Sequence, residues 1–314
     1  MGEAQRGVMA MVGACLIWGL SPLYYKLLVH VPPLEVLSHR TLWSMVFFGI
    51  VLLFQGRMGQ VLQLLGNVRR LALVVLAALS ISANWFLFIY SIQVGRAVEA
   101  SLGYYIFPLV AVLLGVVVFR ERLSLAKISA VALAVVAVLV LTLGLGAPPW
   151  ISLALAFSFG IYGVIKKGVS AGPVVSVTAE VLMLAPLALI WLWGVHFQGW
   201  QGLTGRNLGV FGNNLRDSLL LLLSGPLTAT PLILFSYASR RVALATIGLV
   251  QYLNPTLQFS VAVLIFAEPM TRWHAIAFPL IWLALAVYSL ETLRQDRSAR
   301  RAAAKSVTVG TTPT

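Results

Sequence analysis

Ten apolar runs of about 20 residues follow one another along the chain, the length a helix needs to cross a hydrocarbon core of ~30 Å. They fall at 7–29, 35–55, 71–93, 98–119, 125–145, 148–166, 174–196, 217–239, 244–267 and 274–291. Charged residues make up 10% of the chain and hydrophobic ones 60%, with a mean hydropathy of +0.94. A soluble domain carries about 25% charged residues. A chain this apolar cannot cover a water-facing surface. It reads as an all-α integral membrane protein whose first partner is the lipid bilayer.

The net charge of +13 does not call for a nucleic acid partner, because the basic residues sit in short clusters between the apolar runs. They set topology instead. With both termini in the cytoplasm, the inner connections and the C-terminal tail hold 16 of the 22 lysines and arginines. The outer connections hold Arg96, Arg206, Arg216 and Arg272, and Lys26 and Arg40 lie within runs. This pattern predicts a multi-pass protein of the plasma (inner) membrane. Arg6 before an apolar run, with Val12-Gly13-Ala14-Cys15, faintly resembles a signal sequence with a lipoprotein box. The run continues well past Cys15, which suits a retained helix. Cys15 is the only cysteine, so no disulfide framework, thiolate metal site or other cofactor is expected. Residues 294–314 are basic and then rich in Ser, Thr and Ala, and are expected to form a disordered cytoplasmic tail. The long outer connection 196–216 is expected to be a flexible loop at the interface rather than a cap.

The fourth run has a twin. Between 98–121 and 245–268, Tyr105 matches Tyr252, Pro108 matches Pro255, Phe119 matches Phe266 and Glu121 matches Glu268. Upstream, Phe88 and Tyr90 match Phe235 and Tyr237. Gly19 and Lys26 match Gly160 and Lys167, and Pro33 matches Pro173. The halves, 1–147 and 148–293, each hold five runs, an odd number, so the second must lie upside down relative to the first. Inverted repeats are a recurrent architecture of secondary transporters.

These residues carry a resemblance. Trp18-Gly19 with Pro22 and Tyr25-Lys26, His39-Arg40 with Trp43-Ser44, Asn84-Trp85 with Leu87-Phe88, 99–104 (EASLGY) and Gln251-Tyr252 with Pro255-Thr256 resemble the drug/metabolite transporter superfamily. The likeness is to its two-EamA-repeat group, and within that to the RarD-like proteins. It covers nearly the whole chain except the tail and the outer loop. It implies a ten-helix bundle with a central cavity, and a permease of the kind linked to chloramphenicol resistance or sensitivity.

Candidate site residues follow from what is costly in a membrane. Pro108 and Pro255 each free a carbonyl, those of Tyr104 and Gln251, and such a break is tolerated only against protein or a wet cavity. Two breaks facing each other at the midplane, with Asn254 alongside Pro255, would form part of a binding site; ordinary packing kinks are the alternative. Asn84 is either a ligand contact or an interhelical hydrogen bond. Trp18, Tyr25, Trp43, Trp85, Tyr104, Tyr105 and Tyr252 would line a cavity for an amphipathic or aromatic solute, or else serve in the interfacial belt and the core. Arg40, beside His39, and Glu180 take corresponding places in the second and seventh runs. Inversion sets them at opposite depths, so two local networks are expected: Arg40 with Glu35, His39, Lys26 or Glu99, and Glu180 with Lys166 or Lys167. Both act as gates or proton-binding groups, or are structural; snorkelling is expected of Lys26 and Lys166. Glu121 and Glu268 are expected to end their helices in ion pairs, the second with Arg272.

The leading functional reading is a secondary active exporter of a small organic solute, drug or metabolite, with protons as the coupling ion. The rivals are an integral membrane enzyme and a membrane scaffold. No H-E-x-x-H, aspartyl pair or nucleotide-binding G-x-x-x-x-G-K-[ST] loop is present.

Overall fold

The computed structural model describes residues 2–120, 123–200 and 209–309. The expected ion pair at Glu121 falls outside them. Among the described residues all regular structure is helical, which satisfies backbone N–H and C=O groups within each span where no water can.

The first half contains α1 (Glu3–Leu27), α2 (Pro33–Phe54), α3 (Met58–Leu65), α4 (Val68–Gln93), α5 (Ala97–Phe119) and α6 (Leu125–Leu145). The second contains α7 (Trp150–Lys167), α8 (Pro173–Phe197), α9 (Leu215–Ser239), α10 (Leu244–Gln251), α11 (Leu253–Ser260) and α12 (Arg272–Val309). Among the described residues ten spans are long and apolar enough to cross a membrane, with α10, α11 and a following π-helical turn, Val261–Ile265, sharing the ninth. α3 is too short to span; it buries Val61 and Leu64 and packs on α8. α12 continues through 294–309, where composition suggested an unstructured tail.

The packing maps onto itself when the halves are exchanged. α1 lies on α9 and α11, and its equivalent α7 lies on α4 and α5. α2 packs on α9 as α8 packs on α4, while α2 with α8, α5 with α11 and α6 with α12 are equivalents meeting each other. Local details repeat as well. Pro33 and Pro173 open α2 and α8 at the first helical position, where a missing N–H costs nothing. Arg120 and Ala267, the two non-glycine residues with positive φ among the described residues, are repeat equivalents. Gly19 admits α11 so closely that a Cβ there would lie 2.6 Å from Leu257 Cβ. Its equivalent Gly160 admits α5, where a Cβ would lie 2.8 Å from Leu114 Cδ1.

One expectation of symmetry fails. The chain breaks near Pro255 but not at Pro108, which sits inside the continuous α5. Pro255 falls in the first turn of α11, where its missing amide needs no partner, so the helix restarts there.

The interior is apolar, and so is much of the outer surface. Leu53, Leu143 and Leu189 face outward, while Glu35, Arg40, Ser44, Asn84, Ser101 and Glu180 are buried between helices.

Candidate transport cavity

A cavity of about 850 Å³ lies between the two halves. Each contributing helix offers one stripe at i, i+3 or i+4, and i+7, which is a single helical face. α1 presents Trp18, Ser21 and Tyr25; α7 presents Phe159, Tyr162 and Lys166. α4 presents Ile81, Trp85 and Phe88; α9 presents Thr228, Leu232 and Phe235. α5 presents Tyr104, Phe107, Pro108 and Ala111; the α10–α11 span presents Gln251, Asn254, Pro255 and Gln258. In every pair the second set is the first carried to the other half at the offset of the sequence repeat. The cavity wall is therefore one surface used twice.

Arg40 lies 7% exposed at one part of this wall. Its Nη1 donates to the Tyr25 hydroxyl at 2.9 Å, and its guanidinium carbon stands 4.1 Å from the Trp85 ring centroid. The carboxylates expected as its partners are engaged elsewhere. Glu35 accepts from the backbone N–H groups of Gly209 and Val210, at 3.2 and 2.8 Å, and Glu99 pairs with Arg96 at 3.4 Å. Arg40 forms no ion pair with any described residue, and its buried Nε has no hydrogen-bond partner. Burying an ion costs several kcal/mol even after relaxation. A desolvated cation–π contact returns about 2 kcal/mol. Trp85 therefore offsets part of the cost and leaves the rest.

Glu180, at the equivalent position, is neutralised. Lys166 Nζ lies 2.6 Å from its Oε1, the Ser176 hydroxyl donates to the same oxygen at 2.9 Å, and Tyr162 donates to Oε2 at 3.0 Å. Lys166 also reaches Ser176. It does not snorkel; it holds the carboxylate. Tyr25 and Lys166 are repeat equivalents, so both halves make the same bond, once as tyrosine to arginine and once as lysine to glutamate.

Asn84 is fully engaged: its amide donates to Leu155 O and Ser158 Oγ, both at 3.0 Å, and its carbonyl accepts from the Tyr104 hydroxyl at 3.0 Å. It ties α4 to α7 and α5 while forming part of the wall.

The cavity takes in Trp18, Tyr25, Arg40, Asn84, Trp85, Tyr104, Pro108, Gln251, Tyr252, Asn254 and Pro255. It leaves out Tyr105, His39, Trp43 and Glu180 as wall residues. Tyr105 is buried behind the wall, bonded to Thr256 at 2.8 Å. His39 and Trp43 turn toward residues 209–212, where the Phe211 ring lies 4.6 Å from the imidazole and 6.0 Å from the indole. Sequence reasoning missed Phe159, Tyr162, Tyr288, Ser289 and Thr292. Shifting Trp18, Ser21 and Tyr25 by the repeat offset would have found Phe159, Tyr162 and Lys166.

The two ends differ. At one, the α7–α8 connection lines the cavity through Val169 and Ala171, with Pro173 at the start of α8. At the other, the α1–α2 connection is packed shut: Leu28 and Val31 are buried, and Gln93 donates to both their carbonyls. The segment 209–212 closes over this end on Glu35 and His39, a cap rather than the expected interfacial loop. Asp217 there meets His30 at 2.9 Å, and Glu268 accepts from the Ala97 and Val98 amides at 2.8 Å, not from Arg272. Glu35, His39 and His196 bring one potential metal-ligand atom each within 4.8 Å. Both Glu35 oxygens already hold backbone amides, so the cluster reads as an anchor for the cap.

Residues 5–143 match the EamA-like transporter family. Protein RarD of Streptomyces exfoliatus is 43% identical over 99% of this chain and 97% of its own. The chain belongs to the EamA family, among its RarD-like members. Protein RarD of Escherichia coli is 33% identical over 94% of this chain and 97% of its own. The chloramphenicol-sensitive protein RarD of Pseudomonas aeruginosa is 30% identical over the same shares. One solved protein structure shares the fold, with a TM-score of 0.58 over 90% of this chain and 97% of its own, at 19% identity. A RarD-like EamA protein is a multi-pass membrane transporter, and the ten spans and the repeated cavity wall fit that class.

Proposed function

We propose that the chain is a secondary active exporter of a small organic solute, working by alternating access of its two halves. The observation that carries this reading is the cavity wall built from the same positions of both repeats and reaching only one end of the bundle. Exchanging the conformations of the halves would close the α7–α8 end and open the α1–α2 end, without new chemistry. With the basic connections on the cytoplasmic side, the present conformer faces the cytoplasm across the plasma membrane. Trp18, Trp85, Tyr104 and Tyr252 supply ring faces for the solute; Arg40, Gln251 and Asn254 supply polar contacts. Tyr105, Pro108 and Pro255 shape the wall. The cap on Glu35 and His39, with Trp43 beneath it, is the outer gate. Glu180 is the coupling group: a proton taken there would release Lys166. The name of the Pseudomonas relative makes chloramphenicol one test solute. Flux of aromatic solutes into liposomes holding the purified chain tests the reading; liposomes that carry folded protein and pass none of them would refute it.

A further inference from the structure

We infer that the solute is an organic anion, an aromatic or apolar body bearing a carboxylate, and that Arg40 is the residue that holds the carboxylate. The inference rests on the transport reading above and deepens it at the same cavity.

Three observations converge. Arg40 is nine-tenths buried in the cavity wall, makes no ion pair with a described residue, and has an unpartnered Nε. A guanidinium presents a planar fork of five donors that matches a carboxylate, and here one hydroxyl, that of Tyr25, satisfies a single donor. Second, the described lining residues include two cations, Arg40 and Lys166, and no aspartate or glutamate. Lys166 is spoken for by Glu180. The cavity therefore carries one uncompensated positive charge, in surroundings of low dielectric where that charge acts strongly on an anion. Third, the protein supplies its own control. The equivalent position in the other half carries a glutamate whose charge is matched by a lysine. The fold can neutralise a charge here, and at Arg40 it does not.

The rest of the wall defines the body of the ligand. Trp85 stacks on Arg40, and Trp18, Phe88 and Tyr104 continue the apolar surface around it. An inorganic anion would leave these faces unfilled. A solute with an ammonium group would find no described carboxylate in the wall to receive it.

The test uses the purified full chain in detergent, with 1-naphthoate, 1-naphthamide, 1-naphthylmethylamine and inorganic phosphate as probes, and thermal unfolding as readout. Naphthoate is expected to raise the melting temperature saturably, and to bind roughly tenfold or more tighter than the amide. The amine and phosphate should give no saturable shift. Arg40→Gln should lose the preference for naphthoate over the amide, and Arg40→Lys should keep part of it. Without ligand, Arg40→Gln should melt no lower than the parent, since it removes a buried charge that lacks a counter-ion. A structural strut would give the opposite. Equal binding of naphthoate and the amide, tighter binding of the amine, or full retention of the preference in Arg40→Gln would overturn the inference. In each case binding of the other probes would leave the transport reading intact. A complete absence of binding, together with an absence of flux for every probe, would remove both.

Discussion

Arg40 and Glu180 occupy the same position in the two halves, yet Glu180 lies 2.6 Å from a lysine ammonium and Arg40 lies 2.9 Å from a tyrosine hydroxyl. The bond is conserved between the halves while its charge balance is not. A symmetric fold thus carries an asymmetric charge: Lys166 balances Glu180, and no described residue balances Arg40.

Exchanging the chemistry follows directly. The double variant Tyr25→Lys with Arg40→Glu copies the second-half pair into the first. It is expected to fold and to melt at or above the parent temperature, because it replaces an unpaired buried charge with a pair. Solute flux should be lost. Thermal unfolding and liposome flux on the same preparation check both halves of the statement.

Breaking the other pair should do the reverse to stability. Glu180→Gln leaves Lys166 without its counter-ion, and removing one partner of a fully buried pair costs about 3–5 kcal/mol. Lys166 is 22% exposed at its side chain, so it can turn toward water and the loss should be smaller, about 1–2 kcal/mol. Denaturant unfolding should show a destabilised protein, and Lys166→Met with Glu180→Met should recover much of it.

The close approach at Gly19 is a packing constraint. A Cβ there would meet Leu257 at 2.6 Å, a distance that forces one helix to move. Overpacking of this kind costs about 1–3 kcal/mol. Gly19→Ala should lower the melting temperature and slow flux, and Gly49→Ala, outside the cavity wall and with nothing within 4 Å of a Cβ, should change neither.

The cap reports on the closed end. Glu35→Gln replaces charge-assisted hydrogen bonds to Gly209 and Val210 with neutral ones, a loss of about 1 kcal/mol. Hydrogen exchange in residues 209–212 should speed up while that of α6 stays unchanged. Equal exchange in parent and variant would show that Glu35 does not hold the cap.

Much of this was legible in the sequence, for reasons that can be named. The ten spans follow from hydrocarbon thickness, and the inversion from an odd number of crossings. The wall residues Trp18, Tyr104 and Pro108 stood out because polar and aromatic groups are scarce in aliphatic text. The partner of Arg40 did not, because a choice among Glu35, Glu99 and Tyr25 depends on how α1 crosses α2 and on the cap, which no local pattern records. Lys166 was named both as a partner of Glu180, which it is, and as a snorkelling end residue, which it is not. The break near Pro255 and the continuity at Pro108 differ because tertiary context decides whether a proline ends a helix or bends one. The helix α3 was missed because it is too short to span and lies in a connection.

The central claim is that one cavity, shared by both halves, carries solute across the bilayer. Counterflow in liposomes tests it most directly: vesicles loaded with unlabelled 1-naphthoate and the purified chain, with labelled 1-naphthoate outside. The account predicts transient accumulation of label above equilibrium, saturable with concentration and absent in the Tyr25→Lys, Arg40→Glu variant. Label that never exceeds equilibrium in vesicles holding folded parent protein would contradict it.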